Sequence, residues 1–268
     1  MKRLMSALSV LVLALALVVP AMADNHGPRV RAVHASPDAP AVDVWVDGAI
    51  AFENAPFKGI TPYAELTQGM HNFQVVPTGA TEPVVIEADL DLQNNTDYTI
   101  AAVNTLDSIE PIVLVDNNAL PEAGKAHVRF VHASPDAPAV DIAVADGGPV
   151  LFGGVAFKGV GDYLPVDAGT YNLEARISGT DTVALSLPGV TLEEGTVYTV
   201  FAMGLAGGEP ALTAVISVDA QAEPTMLPAT GGLDTTLLIS LGLVGLGIIF
   251  LGIGGYRQLV PVPVKRNR

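Results

Sequence analysis

Hydrophobic and polar residues alternate with a period of two along most of this chain. The stretch "AVDVWVD" at 41–47 puts three valines on one face and two aspartates with Trp45 on the other. The stretch "VDIAVAD" at 140–146 repeats the alternation. Alternation of this kind is typical of a β-strand with one buried and one exposed face.

Further alternating runs, separated by Gly, Pro, Asn and Asp, lie near 71–77, 83–92, 96–103, 109–115, 170–177, 182–187, 196–203 and 211–218. No window between the two ends of the chain favours a helix. About seven short strands per hundred residues predict an all-β protein built of antiparallel β-sandwiches, of immunoglobulin-like or transthyretin-like type. A small closed barrel is the alternative.

The chain carries two copies of one unit. The string "VHASPDAPAVD" stands at 33–43 and returns unchanged at 131–141, and later landmarks such as "FKG" also recur. We therefore predict two tandem modules, at 28–120 and 125–219. The short join between them contains Pro, Gly and charge, as linkers do.

The amino-acid composition excludes several kinds of active site and one class of partner. The 268 residues include no cysteine, which excludes disulfides, thiol catalysis and thiolate metal sites. Between residues 24 and 226 there are 27 acidic and 7 basic residues. Such a surface repels phosphate backbones, so nucleic acid is not an expected partner.

The first 23 residues, 1–23, predict a signal peptide. A basic start precedes an apolar run at 4–19, and Ala21 and Ala23 supply the small residues that signal peptidase requires. Retention of the run as a membrane helix is the alternative, although the run is short for a bilayer span. We expect export, with a mature chain that begins at Asp24.

An apolar segment predicts one transmembrane helix at 233–256. The twenty residues from Leu237 to Tyr256 carry no charge and would form a helix about 30 Å long, which matches the hydrocarbon thickness of a bilayer. The tail at 257–268 is basic and has no acid. The positive-inside rule therefore places the tail in the cytoplasm and residues 24–232 outside.

The linker at 220–232 contains "LPATGG". Together with the apolar span and basic tail, it resembles the cell-wall sorting signal of surface proteins that sortase transpeptidases process. The resemblance implies cleavage between Thr230 and Gly231, followed by transfer of the Thr230 carboxyl group to an envelope amine. A retained helix as permanent anchor is the alternative. The matching residues are Leu227, Pro228, Ala229, Thr230 and Gly231.

The repeated string has the composition of a stiff turn between two strands. Ser36 suits the first position of a type I turn, Pro37 fixes the next φ, and the Asp38 side chain can bond a nearby amide. His132 shares the parity of Val128 and Phe130, which places it on the core side of its strand. We expect this histidine to hydrogen-bond a loop carbonyl or carboxylate and hold the turn.

Two functional interpretations compete with the structural one. A Ser, His and Asp in this string are the types of a hydrolase triad, but they lie too close together in sequence for that relay and no G-x-S-x-G elbow is present. One His and two Asp per copy could hold a transition metal. We predict neither catalytic residues, nor a metal site, nor a cofactor. The residues of the structural turn, or alternatively of a ligand loop, are His34, Ser36, Asp38, Asp43, His132, Ser134, Asp136 and Asp141.

The openings "VRAVHASPDAPAVDVWVDG" and "VRFVHASPDAPAVDIAVADG" closely resemble the bacterial domain-of-unknown-function family numbered 4397. The resemblance implies exported, often repeated β-rich modules on bacterial surfaces, with no known reaction. We expect a non-enzymatic surface protein for display, adhesion or recognition of a glycan or protein. A ligand- or metal-binding envelope sensor that uses the His/Asp loop is the alternative. Trp45 could act as a sugar platform, but its counterpart is Ala143.

Overall fold

A computed structural model describes residues 26–222 and shows an all-β protein with eight strands in each repeat. The first repeat, module 1, contains β1 (Arg29–His34), β2 (Val42–Val46), β3 (Ala49–Ala55), β4 (Ala64–Glu65), β5 (Gly69–Pro77), β6 (Ile86–Leu92), β7 (Asp97–Val103) and β8 (Glu110–Asp116). The second, module 2, contains β9 (Lys125–His132), β10 (Val140–Val144), β11 (Val150–Val155), β12 (Leu164–Asp167), β13 (Gly169–Ile177), β14 (Val183–Leu192), β15 (Thr196–Met203) and β16 (Thr213–Gln221). A 3₁₀ turn, Leu106–Ser108, precedes β8.

Each module has two open four-stranded sheets. The inner sheets have the orders β4-β1-β7-β8 and β12-β9-β15-β16, and the outer sheets β3-β2-β5-β6 and β11-β10-β13-β14. The expectation of wholly antiparallel sheets is wrong at one pair per module, because β1 pairs with β7 and β9 with β15 in parallel. After β1 or β9 the chain forms the strands of the outer sheet and then returns to the end of the inner sheet at which β1 or β9 began. The second strand of each pair, β7 or β15, therefore runs in the same direction as the first.

A hydrophobic core fills the space between the inner and outer sheet of each module. In module 1, Val30 and Ile100 of the inner sheet pack in one cluster with Val44 and Phe73 of the outer sheet. Module 2 has the equivalent core. Sheets that face each other across such a core form a sandwich, and the open edges exclude the closed barrel.

A third core joins the two modules. It contains buried side chains from both inner sheets, including Val33 and Val103 of module 1 and Val131, Phe201 and Met203 of module 2. The inner sheets are therefore covered on both faces, and every residue of β7 and β15 is buried. The described residues form four stacked sheets within one compact unit.

Strands β1 and β9 run in the same direction through this stack. Near their starts, Arg31 contacts Asp219 and Arg129 contacts Asp116. Near their ends, Val33 and Val131 share the third core. We call the end with residues 26–28 and 220–222 the base, and the end with the repeated turns, 35–41 and 133–139, the tip.

The predicted signal peptide, sorting motif, transmembrane helix and basic tail lie outside the described residues. Across 26–222, no helix has the length and apolar character needed to cross a bilayer.

Candidate functional site

The histidine of each repeated string bridges the turn that follows it. The His34 Nε2–H donates to the Pro40 carbonyl at 2.8 Å, and its Nδ1 accepts the Ser36 backbone N–H at 3.3 Å. One donor and one acceptor nitrogen describe a neutral imidazole. Burial lowers the pKa of His34 and outweighs the bond to Pro40, which alone would raise that pKa. His34 is thus an uncharged crosslink within the turn.

Module 2 repeats this geometry. The His132 Nε2–H donates to the Pro138 carbonyl at 3.1 Å, and Nδ1 accepts the Ser134 N–H at 3.4 Å. Burial likewise lowers the pKa of His132. Both rings are almost fully enclosed, with exposed fractions of 1% and 0%. The histidines lie on the core side of their strands, where no exposed ligand would reach them.

The aspartate after each Ser-Pro pair holds a second tip loop. The Asp38 carboxylate accepts the Leu106 N–H at 2.7 Å, and Asp136 accepts the N–H groups of Ala206 and Gly207. At Asp136 these backbone bonds lower the pKa despite burial, which alone would raise it. These contacts join the repeated turn to the connection that follows β7 or β15.

The two serines of the string differ in their contacts. Ser134 Oγ donates to the Gly204 carbonyl at 2.6 Å, whereas Ser36 Oγ is buried with no hydrogen-bond partner among the described residues. Neither hydroxyl bonds to the histidine two residues before it, whose Nδ1 is occupied by the serine backbone N–H instead. A Ser–His relay is therefore not assembled in either copy.

Asp43 and Asp141 connect loops at the edge of each outer sheet. The two Asp43 oxygens accept the Asn54 N–H at 2.7 Å and the Gly79 N–H at 2.9 Å. Asp141 accepts the N–H groups of Gly154 and Gly179 and the Ser178 hydroxyl. Hydrogen bonds from these backbone groups lower the pKa of both carboxyls. Each oxygen of these carboxylates accepts at least one hydrogen bond from a neighbouring loop, so both groups act as structural acceptors.

The recurring "FKG" segment packs beside the same turn. In module 1 the Lys58 N–H donates to the His34 carbonyl, and the Gly59 carbonyl accepts the His34 N–H. A Cβ on Gly59 would lie 2.7 Å from the Pro56 carbonyl oxygen, so only glycine fits. This close approach explains why the glycine recurs with the string.

The structure does not bring the predicted ligand residues together as a metal site. Within residues 26–222 no three His, Asp or Glu side chains are grouped as they would be around a metal ion. The string acts instead as a hydrogen-bonded frame that fixes the loops at the tip.

Sequence reasoning missed a buried polar network at the base, between the modules. The Arg31 Nη1 lies 2.7 Å from Asp219 Oδ1, and the Arg129 Nη2 lies 2.6 Å from Asp116 Oδ1. All four side chains have exposed fractions of 2% or less. An arginine of each module therefore pairs with an aspartate of the other module, which makes the contact self-complementary.

Two threonines close this network into a ring. Thr99 Oγ1 accepts from Arg31 Nε and donates to Asp116 Oδ2, at 2.8 Å and 2.6 Å. Thr199 Oγ1 accepts from Arg129 Nε and donates to Asp219. Asp219 raises the pKa of the Arg31 guanidinium against the effect of burial, which alone would lower that pKa. Each guanidinium is thus paired with a carboxylate, which offsets the cost of burying its charge.

An aromatic ring covers each guanidinium. The Cζ of Arg31 lies 4.8 Å from the Tyr63 ring centroid, and the Cζ of Arg129 lies 4.7 Å from that of Tyr163. Burial raises the pKa of Tyr163 to about 12, and it raises that of Tyr63 still further. The signal for this network was present in the sequence, because both tyrosines and both arginines recur with the repeat.

Comparison with known proteins identifies the family. The model described as Domain of unknown function (DUF4397) matches residues 28–143 and 143–226. The chain therefore belongs to this family, and the resemblance at the repeated string is confirmed. No curated protein matches the chain in sequence.

Two solved structures show a partial likeness. The TIE protein of Bacillus anthracis is 11% identical, with a TM-score of 0.20 over 67% of this chain and 33% of its own length. A candidate cell adhesion protein of Bacteroides fragilis is 8% identical, with a TM-score of 0.17 over 75% of this chain and 100% of its own. The chain thus spans about a third of the first protein. Neither TM-score supports an argument about fold or function.

Proposed function

We propose that this protein is an exported, envelope-anchored, non-enzymatic surface protein whose tandem β-sandwich modules serve display, adhesion or ligand recognition. The observation that carries the proposal is the position of the chain ends. The described chain enters and leaves at the base, since Arg31, five residues from His26, bonds to Asp219, three residues from Ala222. A unit attached through its base presents its tip outward.

The direction of the strands supports this orientation. Strand β1 rises from the base to His34, and a strand extends about 3.3 Å per residue, so the first turn lies well away from the point of entry. Strand β9 runs the same way, which puts the second turn at the same end. Both repeated turns, with the loops they hold, would then lie far from the anchor.

The ends of the sequence supply the proposed route to the surface. Residues 1–23 would direct export and be removed by signal peptidase. Leu227–Gly231 would be the substrate of a sortase, and the helix at 233–256 would hold the precursor in the membrane. The carboxylates that bond to loop N–H groups and the neutral histidines of the string support a structural role for it.

Changing Thr230→Ala tests the anchoring step. We expect the variant to move from the cell-wall fraction to the membrane fraction, because the sorting motif would lose the threonine side chain at the cleavage position. Thr225→Ala, five residues earlier and outside the motif, is the matched control and should stay in the wall. Protease treatment of intact cells should release module fragments from both variants. An unchanged distribution of Thr230→Ala, or protection from protease, would contradict the proposal.

A further inference from the structure

The outer face of the outer sheet of module 1 carries a row of residues that module 2 lacks. Across its four strands, Ile50 pairs with Trp45, Trp45 with Gln74, and Gln74 with Glu87. Residues paired across strands lie on the same face of a sheet. The neighbouring pairs on this face are Asn72 with Asp89 and Met70 with Asp91. We call these eight residues the Trp45 face.

The apolar part of the Trp45 face is open to solvent. Ile50 is 49% exposed and Met70 66% exposed, and Trp45 is partly exposed between strands β3 and β5. The Trp45 Nε1 is buried and has no hydrogen-bond partner among the described residues. The accessible part of the indole is therefore carbon, which makes it a stacking surface and not a hydrogen-bond donor.

The polar part of the face offers acceptors. The Asn72 Nδ2 donates to Asp89 Oδ1 at 2.8 Å, and the Gln74 Nε2 donates to Glu87 Oε1 at 3.0 Å. These bonds engage both amide groups and fix the two carboxylates. The remaining carboxylate oxygens can accept from a ligand, and a hydroxyl donor forms short, strong bonds with an ionised carboxylate.

The charge of the face selects among ligands. Strands β2, β3, β5 and β6 contain no lysine or arginine, while Glu87, Asp89 and Asp91 are all exposed. An acidic ligand would be repelled. A ligand with many hydroxyl donors, an apolar face and no negative charge fits both halves of the surface.

From this geometry we infer that the Trp45 face binds a glycan of uncharged pyranose units, with one ring stacked on Trp45 and hydroxyls donated to Glu87 and Asp89. Trp45 and Glu87 lie two strand spacings apart, about 10 Å, which suits two linked sugar rings. This inference deepens the proposed recognition role and rests on it.

Module 2 provides an internal control. The equivalent row runs Val150, Ala143, Glu174 and Ser186, with no aromatic residue. Its one carboxylate, Glu174, already pairs with Arg176. A glycan should therefore bind to one module of the chain only.

Because Trp45 is the only tryptophan of the chain, its fluorescence reports directly on this face. We would titrate the full chain, in a detergent without a sugar headgroup, with the tetramer of N-acetylglucosamine, an oligogalacturonate and a lysine-rich peptide. We expect a saturable change in emission with the neutral tetramer alone, at concentrations up to about 10 mM.

Variants assign the site. Glu87→Gln with Asp89→Asn should weaken binding about tenfold or more, and Glu174→Gln should leave it unchanged. Trp45→Ala has no tryptophan, so its binding is measured by titration calorimetry, and we expect none. Its far-UV circular dichroism should still show the strands of the parent. If Trp45→Ala unfolds, Trp45→Phe keeps an aromatic ring and should bind with reduced affinity.

Three results would overturn the inference: no change with the tetramer, an equal response to the acidic oligomer, or a response to the peptide alone. A negative titration combined with normal wall anchoring of the parent would reject the glycan face and leave the surface role intact. A positive titration, combined with absence of the parent protein from the cell wall, would keep the glycan face and reject the proposed surface role.

Discussion

Arg31 of module 1 and Asp219 of module 2 form a buried ion pair, with Nη1 2.7 Å from Oδ1. In the reciprocal pair, Arg129 with Asp116, the arginine belongs to module 2 and the aspartate to module 1. Because the residues sit on different modules, the two sandwiches share their polar base as well as the apolar third core. The repeat is a docked pair, and not two independent domains on a linker.

Removal of the Asp219 charge should therefore destabilise the whole unit. In Asp219→Asn the buried Arg31 loses its carboxylate, and breaking a buried pair from one side costs about 3–5 kcal/mol. We expect the urea midpoint of the variant, measured by circular dichroism, to lie below that of the parent. The control is Asp167→Asn, which breaks the exposed pair with Lys125 and should leave the midpoint nearly unchanged.

The same variant tests whether the modules unfold together. Since Asp219 and the third core join both inner sheets, calorimetry should show a single transition that moves as a whole. Two separate transitions, of which only that of module 2 moves, would show that the interface contributes little.

The positions of the strands could be predicted from the sequence, but the packing of the two inner sheets against each other was not predicted. Alternation located β2 and β10 because one face of each packs in an apolar core while the other carries Asp43 or Asp141, and an apolar–polar pattern reports such a difference directly. Short strands such as β4, Ala64–Glu65, offer too few residues for any period. Arg31 has polar neighbours in the fold but reads in sequence as a solvent-facing residue, so the interface was missed. The largely apolar run of β15, "TVYTVFAM", is typical of a strand covered on both faces and was a second available signal, beside the recurring arginines and tyrosines.

The histidines give stability a pH dependence of known sign. The pKa values of His34 and His132 lie below the ordinary 6.5, mainly because of burial, so the folded chain binds fewer protons than the unfolded chain. Their contribution is fully present above pH 6.5 and is lost as pH falls below that value. Urea midpoints measured from about pH 8 to pH 5 should fall, and His34→Gln with His132→Gln should flatten the decline.

His71 should act in the opposite direction. Its Nδ1 lies 2.7 Å from an Asp47 carboxylate oxygen and its Nε2 2.8 Å from the Thr67 carbonyl oxygen, so two acceptors face the ring and favour its protonated form, in which both nitrogens donate. The bond to Asp47 is the main cause of its raised pKa. The contribution is present below pH 6.5 and is lost as pH rises through the raised value. His71→Gln should therefore lower the midpoint at acidic pH only, and an equal loss at pH 8 would contradict this assignment.

Replacing His34 by alanine should unfold the tip of module 1 more easily. The change leaves the Pro40 carbonyl and the Ser36 N–H without partners in a buried turn, which costs about 1–3 kcal/mol. His34→Gln keeps one donor and one acceptor and should recover part of the loss. Hydrogen exchange of the turn amides would locate the effect. A melting temperature equal to that of the parent in His34→Ala would show that the bridge adds no stability.

Asp43→Asn tests whether the fold requires both oxygens of the Asp43 carboxylate as acceptors or only one of them. The two Asp43 oxygens accept from Asn54 and Gly79 on separate loops, so both oxygens are in use. An asparagine would keep one acceptor and direct an NH₂ group at the second N–H.

We therefore expect Asp43→Asn to lose about 1–3 kcal/mol of unfolding free energy, and Asp141→Asn to lower the midpoint of the same transition. Asp89→Asn, on an exposed strand position, is the control and should leave the unfolding midpoint unchanged. Equal midpoints for Asp43→Asn and the parent would show that one acceptor suffices. In that case the second bond, to Gly79, would add little to the stability of the outer sheet.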